Sequence, residues 1–472
     1  MQDIVIIGAG IVGSFLAHDL SKYDLKVTVI DKENDIANGT TMANSAIIHT
    51  GYDPEDGTLK AELNVKGAKM YPEICKELKI DYQKCGAYVV ACDKEEIKIL
   101  DQLKNRADKR NIRAYYIERE EIIKNEANIS DDVIEAISFP DTAIIYPWQC
   151  AIALMEEAVI NGVDLILGEK VYKIHEKQGF FTVYTEKKAI NTKVIINAAG
   201  CGAEKIANMI EKSPFHIVYK KGEYFVLSKQ ANKFVNHIIY PVPTKVGKGV
   251  LAVPTTHVNI LLGPNSNICE SEDLSTTSEG LEYVRNHLNR IVKNIPYHEV
   301  IRSYSGLRPT GNNGDFYIKP SYKNKNIIHL GCIDSPGLAS APAISAYVIQ
   351  EYIKKCLDLL PKRKYVKRKA PPVMNQLCEK EKNDMVKTQP LYGKIVCKCE
   401  KISYQEIVDA IHSPCGAKTI KAIKKRVRPG MGKCQGGFCE IEVAKILSKE
   451  LNIPLTQVLY DEKHSNLGTE AK

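Results

Sequence analysis

The 472-residue chain has no long apolar run. Nothing in it approaches the roughly 20 consecutive apolar residues that a membrane-spanning helix needs, so no transmembrane segment is expected. The first residues are equally poor in the features of an export signal. Met1-Gln2-Asp3 is followed only by Ile4 to Ile7 before Gly8, whereas a secretory signal has a basic start and about 7–15 apolar residues. The expected location is therefore the cytoplasm, or the periphery of the inner membrane face. Internal repeats and low-complexity segments are absent too. The net charge of +8 is too small for this length to point to nucleic acid as a partner.

What is plentiful is cysteine. Without an export signal the 14 cysteines are expected to be reduced thiols. Those from Cys75 to Cys378 follow no pattern and read as small buried hydrophobes. The remaining five cluster between Cys397 and Cys439. A chain this long needs two or three cores.

Residues 3–7 read as a buried strand, followed by a Gly-rich turn, a helix to about Lys22 and a second strand at Val27–Ile30. A helix is predicted over 59–78, then a mixed insertion to Pro140 and a helix over 149–161. Strands follow at 171–174, 180–184 and 194–197. Alternating strands fill 215–303, with a hairpin of 250–253 and 258–262. A buried strand at 327–330 precedes a helix from about Pro342 to Leu359. The basic run 362–369 and Pro371-Pro372 read as a solvated linker.

Gly8-Ala9-Gly10-Ile11-Val12-Gly13 is G-x-G-x-x-G between a strand and a helix. Gly8 permits a tight turn, Gly10 lets backbone approach a pyrophosphate, and Gly13 lets helix and strand pack closely. Asp31 ends the second strand, where an acid bonds a ribose hydroxyl. A Gly-rich turn without ligand would leave Asp31 unexplained. The fingerprint itself does not separate FAD from NAD.

Three later features are similar to the D-amino-acid-oxidase-like flavoprotein superfamily. They are Ile195-Ile196-Asn197-Ala198-Ala199-Gly200, the strand around Val171, and the loop Gly331-Cys332-Ile333-Asp334-Ser335-Pro336-Gly337-Leu338. The resemblance covers about residues 1–360 and implies FAD as cofactor. It implies contacts from Gly8, Gly10, Gly13, Asp31, Lys32 and Ser45, and from Val171, Ala199, Gly200, Gly331, Gly337 and Leu338. Ala43-Asn44-Ser45-Ala46-Ile47-Ile48-His49-Thr50-Gly51 resembles the glycerol-3-phosphate oxidase and dehydrogenase branch, with L-2-hydroxyglutarate dehydrogenase nearby. There the histidine sits beside the reacting carbon, so His49 is expected to take the hydroxyl proton. Ser305-Gly306-Leu307-Arg308-Pro309 matches that branch's Gly-x-Arg-Pro, which implies that Arg308 holds the anionic end of a small substrate. Ser335 is expected to add a hydroxyl. His257 and Lys221-Gly222-Glu223-Tyr224 stand equally as structural or functional residues. The predicted substrate is sn-glycerol 3-phosphate. A 2-hydroxy acid, an amino acid or amine, and a non-catalytic redox role are the alternatives.

Cys397-Lys398-Cys399 and Cys434-Gln435-Gly436-Gly437-Phe438-Cys439 bring four thiolates together, which suits zinc or a [2Fe–2S] cluster. C-x-C fits zinc knuckles poorly. The stretch from Val396 to Cys439 resembles the bacterioferritin-associated-ferredoxin-like domain, found at the C-terminal end of anaerobic-type glycerol-3-phosphate dehydrogenases and their relatives. That implies a [2Fe–2S] cluster on Cys397, Cys399, Cys434 and Cys439, with Cys415 a packed thiol. The free-standing ferredoxin-like proteins end in C-x-x-C, whereas this chain has C-x4-C. The basic stretch 418–428 reads as a solvated face or a docking surface for an acidic redox partner, whether a companion polypeptide or an electron carrier.

The expected architecture is α/β. A Rossmann-like FAD domain (1–80, 141–214, 304–360) carries an inserted, mainly antiparallel substrate domain (81–140, 215–303). The basic linker (361–390), the small helical [2Fe–2S] domain (391–455) and a tail (456–472) complete it.

Overall fold

The computed structural model describes residues 1–244, 249–270 and 272–468. Gln2–Ile7 (β1) and Val27–Ile30 (β2) pair in parallel and are joined through Ile11–Leu20 (α1). Both strands are almost wholly Val and Ile beyond their first residues, as befits strands covered on both faces. Ala189–Asn197 lies parallel on the other side of β1, with Ile327–Gly331 beside it. Asp164–Ile166 extends the sheet past β2, and antiparallel strands complete the Ala189–Asn197 side. Among the described residues this sheet has eight strands.

Leu59–Leu78 (α2), Pro147–Ile160 (α3) and Gly337–Val348 (α4) pack with α1 into one core on the sheet. The predicted start of α4 at Pro342 is corrected: the helix begins five residues earlier. Proline has no N–H to donate to the carbonyl four residues back. Here the Leu338 carbonyl accepts instead from the Tyr71 hydroxyl of α2 at 2.6 Å, so the helix runs through Pro342 unbroken.

The second sheet has nine strands among the described residues. Its spine is the antiparallel pair Ile217–Leu227 and Val300–Gly311. Leu251–Pro254 and Ile260–Gly263 form the predicted hairpin. Ala87–Ala91 and Glu135–Phe139 join the same sheet, so the segment before Pro140 and the segment after Phe215 build one unit. The expected boundary at 303/304 falls inside the strand Val300–Gly311.

Most of the basic run is exposed, as expected, but it is anchored at Tyr365, Val366 and Arg368. Arg368, whose side chain is 7% exposed, pairs with Glu156 of α3 at 2.9 Å. Tyr365 donates to Glu157 at 3.0 Å, and Asn161 exchanges two bonds with the Val366 backbone. Beyond it, Tyr404–His412, Ile420–Val427 (α5) and Glu440–Leu451 surround their own core. The first of these helices starts on a Ser403/Glu406 capping box.

The basic face of α5 is buried against the first domain, which corrects its reading as a solvated or docking surface. Arg426 grips Asp35 through both terminal nitrogens at 2.9 Å, and Lys425 pairs with Asp35 at 2.7 Å. Burial would raise the Asp35 pKa, but the two cations outweigh it and hold the carboxyl at about 2. Among the described residues no helix is long and apolar enough to cross a membrane.

Candidate active site

The Gly-rich turn is forced by close packing. Gly8 has φ +115°, and a Cβ there would lie 2.4 Å from the Ala198 carbonyl. At Gly13 a Cβ would sit 1.9 Å from the Gly8 carbonyl, so any side chain would push α1 off β1. Gly10 is different: its Cβ would meet nothing closer than Thr41 Oγ1 at 3.3 Å, because the residue faces open space. Asp31 accepts from the Ala9 N–H at 2.6 Å and from the Glu33 N–H at 2.9 Å, tying the ends of both strands together. Burial pushes its pKa up.

A cavity of about 870 Å³ opens over this turn. Gly8, Gly10, Asp31, Lys32, Ser45 and Val171 line it. So do Ala199, Gly200, Gly337 and Leu338, and the three expected catalytic residues His49, Arg308 and Ser335. Of the expected cofactor contacts, Gly13 and Gly331 do not line the cavity. Gly331 is a packing glycine whose Cβ would strike the Phe215 ring at 2.5 Å.

At the far end, His49 follows the short strand Ile47–Ile48. Its Nδ1 lies 3.1 Å from the Tyr240 hydroxyl, and its carbonyl accepts from Asn64 at 2.6 Å. Tyr240 is deeply buried, which holds its phenol neutral. Arg308 stands on Val300–Gly311 and pairs with no carboxylate among the described residues. Its guanidinium only approaches Ser266 Oγ (3.5 Å) and the Asn265 carbonyl (3.4 Å).

Sequence reasoning missed Lys220. It is directly opposite Arg308 in the strand register and lines the same cavity. Gly222 faces Gly306 and Tyr224 faces Tyr304, so one sheet face presents two cations, two glycines and two stacked rings. The signal was alternation: Lys220, Gly222 and Tyr224 are two apart and share a face. Lys221 and Glu223 point the other way, Lys221 pairing with Asp273 at 2.8 Å and Glu223 bonding Asn265 and Thr277. His257 is also outside the cavity, 3.4 Å from Asp81 and against Tyr146. Burial and nearby Arg428 push its pKa down to about 2.

In the C-terminal module Cys399 Sγ and Cys434 Sγ lie 3.6 Å apart. Cys397 and Cys439 form a second pair. A bond from the Cys439 thiol, with backbone N–H groups of Gly430 and Glu400, overcomes burial and holds Cys397 at about 6. Two thiol pairs suit a two-iron cluster, in which each iron takes two protein ligands. Gly432 is required here, since a Cβ would lie 2.4 Å from Cys399 Cβ. Cys415 is buried elsewhere, and its carbonyl accepts from Arg426. Cys399 is exposed, and Phe438 beside Cys439 is 89% exposed.

Residues 3–351 match the family described as FAD dependent oxidoreductase. The chain belongs to that family. Residues 395–449 match the BFD-like [2Fe-2S] binding domain. The flavoprotein is 42% identical to a glycerol 3-phosphate dehydrogenase of Caloramator mitchellensis, over 99% of this chain and 98% of the relative. A glycerol 3-phosphate oxidase of Mycoplasma genitalium is 31% identical over 74% of this chain and 94% of its own. Among solved structures, the dithionite-reduced L-alpha-glycerophosphate oxidase of Mycoplasma pneumoniae with FAD bound superposes with a TM-score of 0.75. It shares 27% identity and covers 79% of this chain and 99% of that one. The flavoprotein is therefore an FAD-dependent oxidoreductase with a [2Fe–2S] domain, and the expected α/β architecture and both cofactors stand.

Proposed function

We propose that this flavoprotein is a dehydrogenase that oxidises sn-glycerol 3-phosphate to dihydroxyacetone phosphate and passes the electrons to a partner protein. The observation that carries the reading is the cation pair Lys220 and Arg308 in the cavity, without a carboxylate partner for Arg308 among the described residues. Two adjacent cations match a phosphate dianion, and the full-length relative bears the name of this activity.

Bound FAD supplies the hydride acceptor, and the [2Fe–2S] cluster supplies a one-electron carrier. Arg308 and Lys220 hold the phosphate and so aim the secondary carbon. His49, held through Nδ1 at hydrogen-bond distance from the Tyr240 hydroxyl, takes the hydroxyl proton as the carbon loses hydride. The products balance as a ketone, a protonated imidazole and a two-electron-reduced cofactor. Ser335 contributes a hydroxyl in the same cavity, and Gly8, Gly10, Asp31 and Gly200 bind the dinucleotide. Cys397, Cys399, Cys434 and Cys439 would hold the cluster, with Cys399 on the exposed side. The fourteen free cysteines fit a reducing, cytoplasmic setting.

Turnover with a dye acceptor tests the substrate. sn-Glycerol 3-phosphate is expected to exceed glycerol and L-2-hydroxyglutarate by orders of magnitude in kcat/KM. Preference for L-2-hydroxyglutarate, the substrate in the name of more distant relatives, would move the assignment to 2-hydroxy acids.

A further inference from the structure

The cavity over the Gly-rich turn is not enclosed by the flavoprotein domain alone. Lys421, Asp461 and Glu462 of the C-terminal module line it together with Asp31, Glu33 and Asn38. Lys421 pairs with the Asp461 carboxylate. Asn34 donates to the Asp461 carbonyl at 2.8 Å, and Asn38 donates to its Oδ1 at 3.1 Å. Behind them, Lys425 is only 1% exposed and donates to the Ile36 carbonyl at 2.5 Å, beside its pair with Asp35.

The loop 34–38 directly follows Asp31, the acid assigned to the cofactor ribose. The module is thus clamped to the chain segment that forms the adenosine end of the cavity. The clamp is buried and charge-paired, and such contacts are lost only at high cost. The module's polar side chains at the cavity are a donor and an acceptor side by side, which suits vicinal hydroxyls.

We propose that the iron–sulfur module is part of the FAD site, with Lys421 and Asp461 binding the adenosine half of the cofactor. FAD retention and module docking then depend on each other. This inference rests on the cofactor site described above.

The test is the FAD dissociation constant of the full-length protein, followed by flavin fluorescence, with cluster absorbance as a check on folding. The double variant K421M/D461N removes both charges without stranding one, and Asp461→Asn alone keeps the Asn34 contact. Each is expected to bind FAD about tenfold or more weakly at unchanged cluster content. Asp31→Asn serves as the reference for the site itself. If Asp31→Asn weakens FAD while the module variants bind like the parent protein, the inference is overturned. If Asp31→Asn also has no effect, the site assignment fails and the inference fails with it.

Discussion

Lys220 and Arg308 face each other across two antiparallel strands and share one wall of the cavity. Each alone would be an ordinary half-buried cation. Together they place two positive charges on one face of a sheet rather than on a loop, the arrangement proposed to hold a phosphate. Arg308→Ala is expected to lower kcat/KM for sn-glycerol 3-phosphate by roughly 100-fold, and Lys220→Ala by about tenfold. Because the two act on one group, the double variant should lose less than the product. Steady-state kinetics decide this, and an unchanged KM in Lys220→Ala would remove that residue from phosphate binding.

His49 and Tyr240 should act as a unit. His49→Gln is expected to reduce kcat by about 10²–10⁴-fold, the range for losing a positioned base. Tyr240→Phe leaves the base in place but unoriented. It should lower kcat less than His49→Gln does while leaving KM unchanged, and steady-state kinetics of the two variants check this.

The clamp at Asp35 makes a pH prediction with a definite sign. Its carboxyl is held at about 2 in the folded protein, below its ordinary 3.8. The unfolded chain therefore binds more protons between those values, and stability rises with pH through that window. Stability from this carboxylate is complete above the ordinary value and is lost as pH falls toward 2. Asp35→Asn leaves Lys425 and Arg426 buried without their counter-charge, at a cost of about 3–5 kcal/mol. Thermal unfolding should show a lower first transition in the variant. An unchanged melting profile would mean the clamp contributes nothing.

Cys434→Ser should abolish the cluster's visible absorbance and turnover with a protein acceptor, while substrate still bleaches the flavin. Full turnover with the natural acceptor in this variant would exclude electron exit through the module.

The parts legible in the sequence were those whose cause is local. Gly13 is dictated by its contact with the Gly8 carbonyl inside a single β-α-β unit, and the cysteine pairs by their spacing. Lys220 was not legible because its partner is on a strand far along the chain, and only pairing brings them together. Arg368 in the run 362–369 and the stretch 418–428 were misread because a charge looks solvated until its counter-charge is known. Glu156 and Asp35, which bury Arg368 and Arg426, are remote in sequence. Likewise Pro342 looked like a helix start because nothing local reveals that Tyr71 replaces its missing donor.

The central claim is most directly tested by anaerobic absorbance titration of the purified protein with sn-glycerol 3-phosphate. Bleaching of the flavin bands near stoichiometric equivalence, with dihydroxyacetone phosphate formed, is the expected result. Flavin bands that stay oxidised under excess substrate, yet bleach with dithionite, would contradict it.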